Sequence, residues 1–108
     1  MQDVSAQEKE RSDRKHKGLP ALRLLAQVAE GGSGQCCKVR RLLLGLYSGT
    51  EWPLDLTLLR GLDAELQKAA IDIIELDWCG REIHTYLDDG DVLFLSWWHR
   101  ESDQDKGE

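Results

Sequence analysis

Apolar residues recur every three or four positions through the middle of this chain, and this spacing is the feature that most restricts its fold. The segment from 64 to 78 shows it best, because Asp63, a good helix-capping residue, precedes the apolar stripe and Gly80 follows it. A stripe of period 3.6 covers one face of an α-helix. The pattern predicts a helix over about residues 64–78 with these apolar positions facing a core: Leu66, Ala69, Ala70, Ile73, Ile74 and Leu76.

Two earlier segments show the same spacing. Pro20 stands at the start of one, and the glycines at 31 and 32 follow its end, which predicts a helix over about 20–30. Ser33 can cap a second helix, which Ser48-Gly49 closes. The four-residue link of residues 31–34 is short enough to make the two helices antiparallel neighbours in a hairpin.

Shorter segments follow on either side of the long helix. Pro53 disfavours helix at Trp52, which we expect to fold back over the hairpin, and Asp55 can cap a short helical segment. Residues 91–100 have a composition that suits a strand, but a lone strand would have no partner in this chain, so helix is favoured. The predicted fold is an all-α, small single-domain bundle of five to six helices that opens with the antiparallel hairpin.

Charge is distributed unevenly along the 108 residues, whose net charge is −6. Residues 19–99 hold seven Lys or Arg against twelve Asp or Glu, whereas residues 1–18 hold five against four and residues 100–108 hold two against four. The two end segments have too few apolar residues to offset the entropy of ordering. We therefore expect a disordered mixed-charge tail at 1–18, a helical domain at 19–99 and a disordered acidic tail at 100–108.

Hydropathy and cysteine content indicate a cytoplasmic protein. No apolar run reaches the length of a membrane span, and the hydrophilic N-terminus has no signal-peptide region. Three cysteines, two of them adjacent at Cys36 and Cys37, do not form a disulfide framework, so reduced thiols are expected.

Catalytic and metal chemistry is only weakly indicated. Cys36, Cys37, Cys79 and His84 could ligate zinc, but only Cys79 and His84 have usable spacing. Cys79 and His84 together with Asp77 or Glu82 could also form a thiol nucleophile, a base and an orienting carboxylate. Trios of this kind arise by chance, so we predict no catalytic, cofactor or metal residues and keep a thiol or zinc-dependent enzyme as a remote alternative.

Basic residues in two places could contact nucleic acid. Arg14, Lys15 and Lys17 could act as a flexible arm that seeks phosphates. On the second helix of the hairpin the candidates are Lys38, Arg40 and Arg41. The acidic excess of the body argues against a broad basic surface, so DNA binding is an alternative rather than the leading prediction.

Acidic and aromatic residues near the C-terminus favour a protein partner. Asp88, Asp89 and Asp91 could present a negative surface to a basic groove. Adjacent residues on a helix cannot both face one core, so one of Trp97 and Trp98 could be partly exposed and anchor an interface. These five residues form the predicted protein-interaction site.

Several short motifs carry a resemblance over about residues 21–98. They are the G-x-x-G-Q turn at 31–35, Leu46-Tyr47, the segment 55–60, Leu62-Asp63 and Glu82-x-His84. The chain resembles a family of short uncharacterised bacterial proteins encoded on integrative conjugative elements and plasmids. It departs from that pattern in its basic N-terminal arm and in Ser96-Trp97-Trp98. The resemblance implies an α-helical fold and an accessory role on a mobile element, and it supplies no catalytic residue.

Taken together, these observations predict a non-enzymatic, acidic protein-interaction module of a mobile element that binds an unidentified protein. An anti-defence inhibitor, for example of the anti-CRISPR type, is one concrete form. The alternatives are a DNA-binding accessory or regulator that uses the hairpin and the basic arm, and a thiol or zinc-dependent enzyme.

Overall fold

The computed structural model describes residues 4–106, and this part of the chain is all-helical as predicted. Helical spacing and capping residues therefore identified the fold class correctly. Among the described residues there are four α-helices and two 3-10 helices, and no strand. The α-helices are α1 (Val4–Ala29), α2 (Gly34–Tyr47), α3 (Ala64–Asp77) and α4 (Gly90–Lys106), and the 3-10 helices are Leu56–Gly61 and Ile83–Tyr86.

Helix α1 is much longer than the predicted segment 20–30, because it begins at Val4 and continues through Pro20. Residues 4–18, which were expected to form a disordered tail, belong to α1 in the structure, while residues 1–3 lie outside the described residues. Side chains from Ala6 to Asp13 are exposed, so burial does not hold this half of α1. Good helix formers such as Ala, Gln, Glu, Lys and Arg instead extend a helix that the packed half has already nucleated.

Helix α4 also extends past its predicted end. The segment 91–100 is helical, as favoured, and α4 continues to Lys106, so residues 100–106 of the expected disordered tail belong to this helix in the structure. The physical reason is Glu101, a charged residue that is fully buried. Composition treats every acid as solvated, whereas this one is part of the interior.

The beginnings of α2 and α3 follow the predicted capping residues and are tied to each other. The Ser33 hydroxyl accepts a hydrogen bond from the Cys36 amide at 3.4 Å, which caps α2. Asp63 precedes α3 but makes no side-chain cap. Its carboxylate accepts from the Gln35 amide group at 3.1 Å, and its backbone N–H donates to the Gln35 carbonyl oxygen at 2.5 Å. Gln35 therefore joins the start of α2 to the start of α3.

The core lies where α1, α2, α3 and α4 meet. Helix α1 contacts α2, its expected hairpin partner, but packs most extensively against α3. Helix α2 in turn contacts α4. Trp52 is buried, and its backbone carbonyl lies close to Gly45 of α2. The fully buried apolar side chains come from every α-helix and include Leu22, Leu25, Leu42, Leu43, Ile73, Leu76, Phe94 and Trp97.

Gly18 sets the closest approach of α1 to α3. A Cβ at this position would lie 2.6 Å from Cβ of Leu76 and 3.2 Å from the backbone oxygen of Asp72. Those atoms belong to a packed helix and cannot move independently of it. The missing side chain of Gly18 therefore allows the two helices to touch.

We predict that Gly18→Ala lowers the free energy of unfolding by about 1–3 kcal/mol, because overpacking between two helices outweighs the better helix propensity of alanine. Gly34→Ala is the matched control, since a Cβ there meets nothing within 4 Å. Urea unfolding followed by circular dichroism measures both variants. An unchanged midpoint for Gly18→Ala would show that this contact is looser than described.

Candidate binding groove

A groove of about 610 Å³ lies between α2, the loop before the first 3-10 helix, and α4. We call it the Trp52–Trp98 groove. The groove is lined by side chains from α2, from α4, from the loop and from the 3-10 helix. Glu51 and Pro53 belong to the loop, and Leu58 belongs to the 3-10 helix. Its remaining lining residues are Cys37, Lys38, Arg41, Trp52, Asp55, Trp98 and Ser102.

Two tryptophans form the aromatic wall of this groove. The Trp52 and Trp98 ring centroids are 5.7 Å apart with an interplanar angle of 87°, an edge-to-face contact. The Arg41 guanidinium carbon lies 4.8 Å from the centre of the Trp52 ring, within the range of a cation–π contact. Trp52 is buried and Trp98 half-buried, so part of Trp98 remains accessible to a ligand.

Lys38 supplies a second cation at the groove. Its side chain is half-buried and runs beside Gly61, where an added Cβ would lie 3.0 Å from the Lys38 Cε and would collide with its ammonium nitrogen. No hydrogen bond or ion pair joins this ammonium to another described residue. The absence of a side chain at Gly61 leaves the room in which the Lys38 ammonium lies.

Two carboxylates line the same groove in exposed positions. Glu51 is exposed. Asp55 is also exposed, and its carboxylate accepts hydrogen bonds from the Thr57 N–H at 2.9 Å and from the Thr57 hydroxyl at 2.7 Å. These bonds lower the pKa of Asp55. The groove therefore combines apolar surface with charges of both signs.

A buried ionic cluster, formed by Glu101, Arg40, Arg41 and Cys37, joins α2 to α4 beside the groove. Glu101 Oε2 accepts from Arg40 Nε at 2.6 Å, and Glu101 Oε1 accepts from Arg41 Nε at 2.8 Å. The Cys37 thiol donates to the same Oε1 at 3.2 Å. Arg40 and Glu101 are essentially inaccessible to solvent. Cys37 and Arg41 belong to both this cluster and the groove lining.

Arg40 of this cluster and Arg100 of α4 also bind the end of α1 and the turn that follows it. Arg40 Nη1 donates to the backbone oxygens of Ala29 and Gly31, each at 2.8 Å. Arg100 Nη2 donates to the Gly31 oxygen at 2.8 Å. The last carbonyls of a helix lack intrahelical donors and carry a partial negative charge, so guanidinium groups stabilise them. Side chains of α2 and α4 thus hold the C-terminal end of α1.

Opposing effects act on the pKa of Glu101. Burial raises the pKa of its carboxyl, but the hydrogen bonds from Arg40, Arg41 and Cys37 together outweigh burial and hold the pKa below its usual range. Glu101 is therefore an anion at neutral pH. Its negative charge compensates cations that could not otherwise be buried.

The adjacent cysteines lie in opposite electrostatic surroundings. The hydrogen bond with the Ser33 hydroxyl, at 3.1 Å, lowers the pKa of Cys36. Burial raises the pKa of Cys37, and the Glu101 carboxylate raises it further. Cys36 lines a separate cavity of about 430 Å³, together with Leu24 and Leu66, whereas Cys37 lines the Trp52–Trp98 groove.

The predicted nucleic-acid residues do not form one surface. Arg40 is buried and bound to Glu101 and to the end of α1, so it is not accessible to DNA in this structure. Lys38 and Arg41 line the groove. Lys15 and Lys17 are exposed on α1, and the twelve residues from Lys17 to Ala29 place them roughly 18 Å along the helix from its C-terminal end. Arg14 lies 5.9 Å from the ring centre of Trp78, which is 62% exposed.

The predicted protein-interaction residues are also divided. Asp88, Asp89 and Asp91 are exposed around the start of α4, where Asp91 Oδ1 lies 3.0 Å from His84 Nε2. Trp97 is buried in the core, whereas its neighbour Trp98 is half-buried, so Trp98 is the partly exposed member of the pair. Trp98 therefore lines the same groove as Lys38 and Arg41, two residues that were predicted to contact nucleic acid.

The residues considered for zinc binding and for thiol catalysis do not come together in the described part of the chain. No group of three His, Cys, Asp or Glu side chains there could hold a metal ion. The Cys79 thiol lies 3.9 Å from the Glu75 backbone oxygen, while His84 pairs with Asp91. The postulated thiol and base thus have different partners.

Sequence reasoning missed Glu101, although a signal for it was present. Glu101 follows Phe94 and Trp97 at helical spacings of seven and four, so it continues the apolar stripe of α4. Arg40 is likewise placed between Val39 and Leu43 on the buried side of α2. Opposite charges at stripe positions of two helices are a recognisable pattern for a buried ion pair.

We predict that Glu101→Gln lowers the free energy of unfolding by about 3–5 kcal/mol at pH 7, because it leaves the buried Arg40 without its counter-charge. Asp103→Asn, at an exposed position of the same helix, should have little effect. Chemical unfolding of both variants provides the measurement.

Comparison of wild type with Glu101→Gln also tests how the free energy of unfolding depends on pH. Because the fold lowers the pKa of Glu101, its contribution is complete above the pKa of an unfolded glutamate, about 4.3, and is lost as the pH falls through the lower folded value. Glu101→Gln should lack this component of acid destabilisation. Parallel acid profiles for wild type and Glu101→Gln would contradict the assignment.

We predict that iodoacetamide alkylates Cys36 before Cys37 at pH 8, because the thiolate is the reactive form and the two pKa values shift in opposite directions. Fragmentation of the peptide that contains both cysteines, by mass spectrometry, gives the order. Ser33→Ala should slow the reaction of Cys36, while Ser33→Thr, which keeps a hydroxyl, should not. Faster labelling of Cys37 would refute the prediction.

No described helix has the combination of length and apolar character needed to cross a membrane.

Comparison with known proteins places the chain in a family. No curated protein and no solved structure matches the chain. Residues 19–102, which include Glu101 and every groove residue, match a family of unknown function, DUF7673. The chain therefore belongs to the DUF7673 family.

Proposed function

We propose that this protein is a non-enzymatic protein-interaction module that receives a segment of a partner protein in the Trp52–Trp98 groove. The observation that carries the proposal is the edge-to-face pair of tryptophans in the wall of a 610 Å³ groove. Tryptophan and arginine are the side chains that most often dominate binding energy at protein interfaces. Here Arg41 and both tryptophans are held together before a partner arrives.

Preorganisation supports this proposal. Arg41 is bonded to the buried Glu101, and Trp52 is packed between Arg41 and Trp98. A partner that binds such a groove does not have to order these side chains, so less binding energy is lost.

The predicted acidic surface at Asp88, Asp89 and Asp91 is a separate part of this proposal. All three carboxylates are exposed, and Val92 and Leu95 next to them are 69% and 48% exposed. A partner large enough to cover α4 would meet both regions. The mobile-element setting and the anti-defence role remain predictions from the sequence resemblance.

DNA binding is the second candidate from the sequence, and the geometry favours it less. Arg40 is unavailable, and the two remaining groove cations share their groove with Glu51 and Asp55. A DNA surface needs several cations that neutralise phosphates along one face. The Trp52–Trp98 groove is a better match for a protein segment than for a duplex.

Selection of a random twelve-residue peptide library on the immobilised protein tests the proposal. We expect enriched peptides that lose at least about 30-fold in affinity for Trp98→Ala, since truncating a tryptophan anchor costs roughly 2 kcal/mol or more. Trp78→Ala is the matched control, because Trp78 is 62% exposed and lies outside the groove. Its affinity for the same peptides should be unchanged.

A second groove variant separates binding from folding. Ser102 is half-buried and lines the groove, so Ser102→Gln adds bulk there without removing an aromatic contact. We expect it to weaken the same peptides while keeping the wild-type unfolding midpoint. Peptides that bind both groove variants as tightly as wild type would reject the groove as the site.

A further inference from the structure

The groove contains a cation whose partner the described residues do not supply. Lys38 is half-buried against Gly61 and makes no ion pair with a described residue, whereas Arg41 is bonded to Glu101. Of the two groove acids, Asp55 is engaged with Thr57, and Glu51 is exposed. Lys38 is therefore the charge that a bound segment would affect most.

Covering Lys38 requires an acceptor from the ligand. An ammonium group that loses its remaining water without gaining a hydrogen-bond partner is strongly destabilised. Glu51 differs, because it is exposed and its carboxylate can keep its water. A bound segment must therefore supply a hydrogen-bond acceptor to Lys38, whereas Glu51 needs no partner from the ligand.

The ligand should carry one negative charge rather than many. Glu51 and Asp55 line the same groove, and the chain as a whole has a net charge of −6, so a polyanion such as single-stranded nucleic acid meets repulsion. A single carboxylate next to an apolar side chain avoids this repulsion. The apolar side chain can contact the accessible part of Trp98, while the carboxylate reaches Lys38.

We propose that the occupant of the Trp52–Trp98 groove is an acidic peptide segment in which one Asp or Glu lies next to an aromatic or aliphatic residue and pairs with Lys38. This inference rests on the proposed function and specifies its ligand. Gly61 is part of the specificity, because the bare backbone at that position sets where the Lys38 ammonium lies.

The library selection described above supplies the probe. The most enriched peptide is synthesised with its acidic residue intact and with the matching amide, Glu→Gln or Asp→Asn. We expect wild type to bind the acidic form about tenfold more tightly, as for a charge-assisted hydrogen bond. Lys38→Met should bind both forms equally, and Lys38→Arg should keep a preference for the acid.

Two further variants control for position and for total charge. Gly61→Ala should reduce the preference, because its methyl group displaces the flexible end of Lys38 without removing the charge. Lys68→Met removes a lysine of α3 that lies outside the groove and should leave the preference intact.

Each result bears on a different statement. Enriched peptides without an acidic preference, or an unchanged preference in Lys38→Met, would overturn this inference and leave the peptide-binding function standing. Displacement of the acidic peptide by a twelve-residue oligothymidylate at lower concentration than by the unlabelled peptide would overturn it in favour of nucleic acid. If no peptide depends on Trp98 at all, both the proposed function and this inference fail.

Discussion

The buried carboxylate of Glu101 is the interaction on which the rest of this structure depends. It lies on α4, receives hydrogen bonds from Arg40 and Arg41 of α2, and fixes Arg40 in the position from which it binds the last carbonyls of α1. Three helices thus converge on a single negative charge. In so small a domain, apolar burial alone leaves little surplus stability, so the geometry of one buried charge weighs heavily.

The sequence was sufficient to predict the all-helical fold and the positions of α2 and α3. It was insufficient to predict which charged residues are buried. Helical spacing and flanking residues predicted α2 and α3 closely, because Ser33 caps α2 and the glycines that follow each helix act locally. The extents of α1 and α4 were missed because they depend on nonlocal facts. Helix α1 propagates beyond its packed half, and α4 continues because Glu101 is buried against another helix. Counting charges along the chain cannot distinguish a solvated acid from a buried one.

The same limit applies to the candidate site. Trp98, Lys38 and Arg41 were all singled out from the sequence, but for two competing functions, because nothing local indicates that α2 and α4 share a groove. Trp97 and Arg40 were assigned to surfaces and belong to the interior. Residue type identified most of the groove's chemistry, whereas tertiary contact decided which of these residues act together. Trp52, from the loop between them, was expected only to pack.

The position of Arg41 has a consequence for how this protein would respond to its ligand. One guanidinium contacts the Trp52 ring in the groove wall and the Glu101 carboxylate beside it. A ligand that holds Trp52 in place therefore also favours the arrangement in which α2 and α4 are joined. Binding in the groove and folding are therefore thermodynamically linked, so a bound segment would raise the free energy of unfolding of this chain.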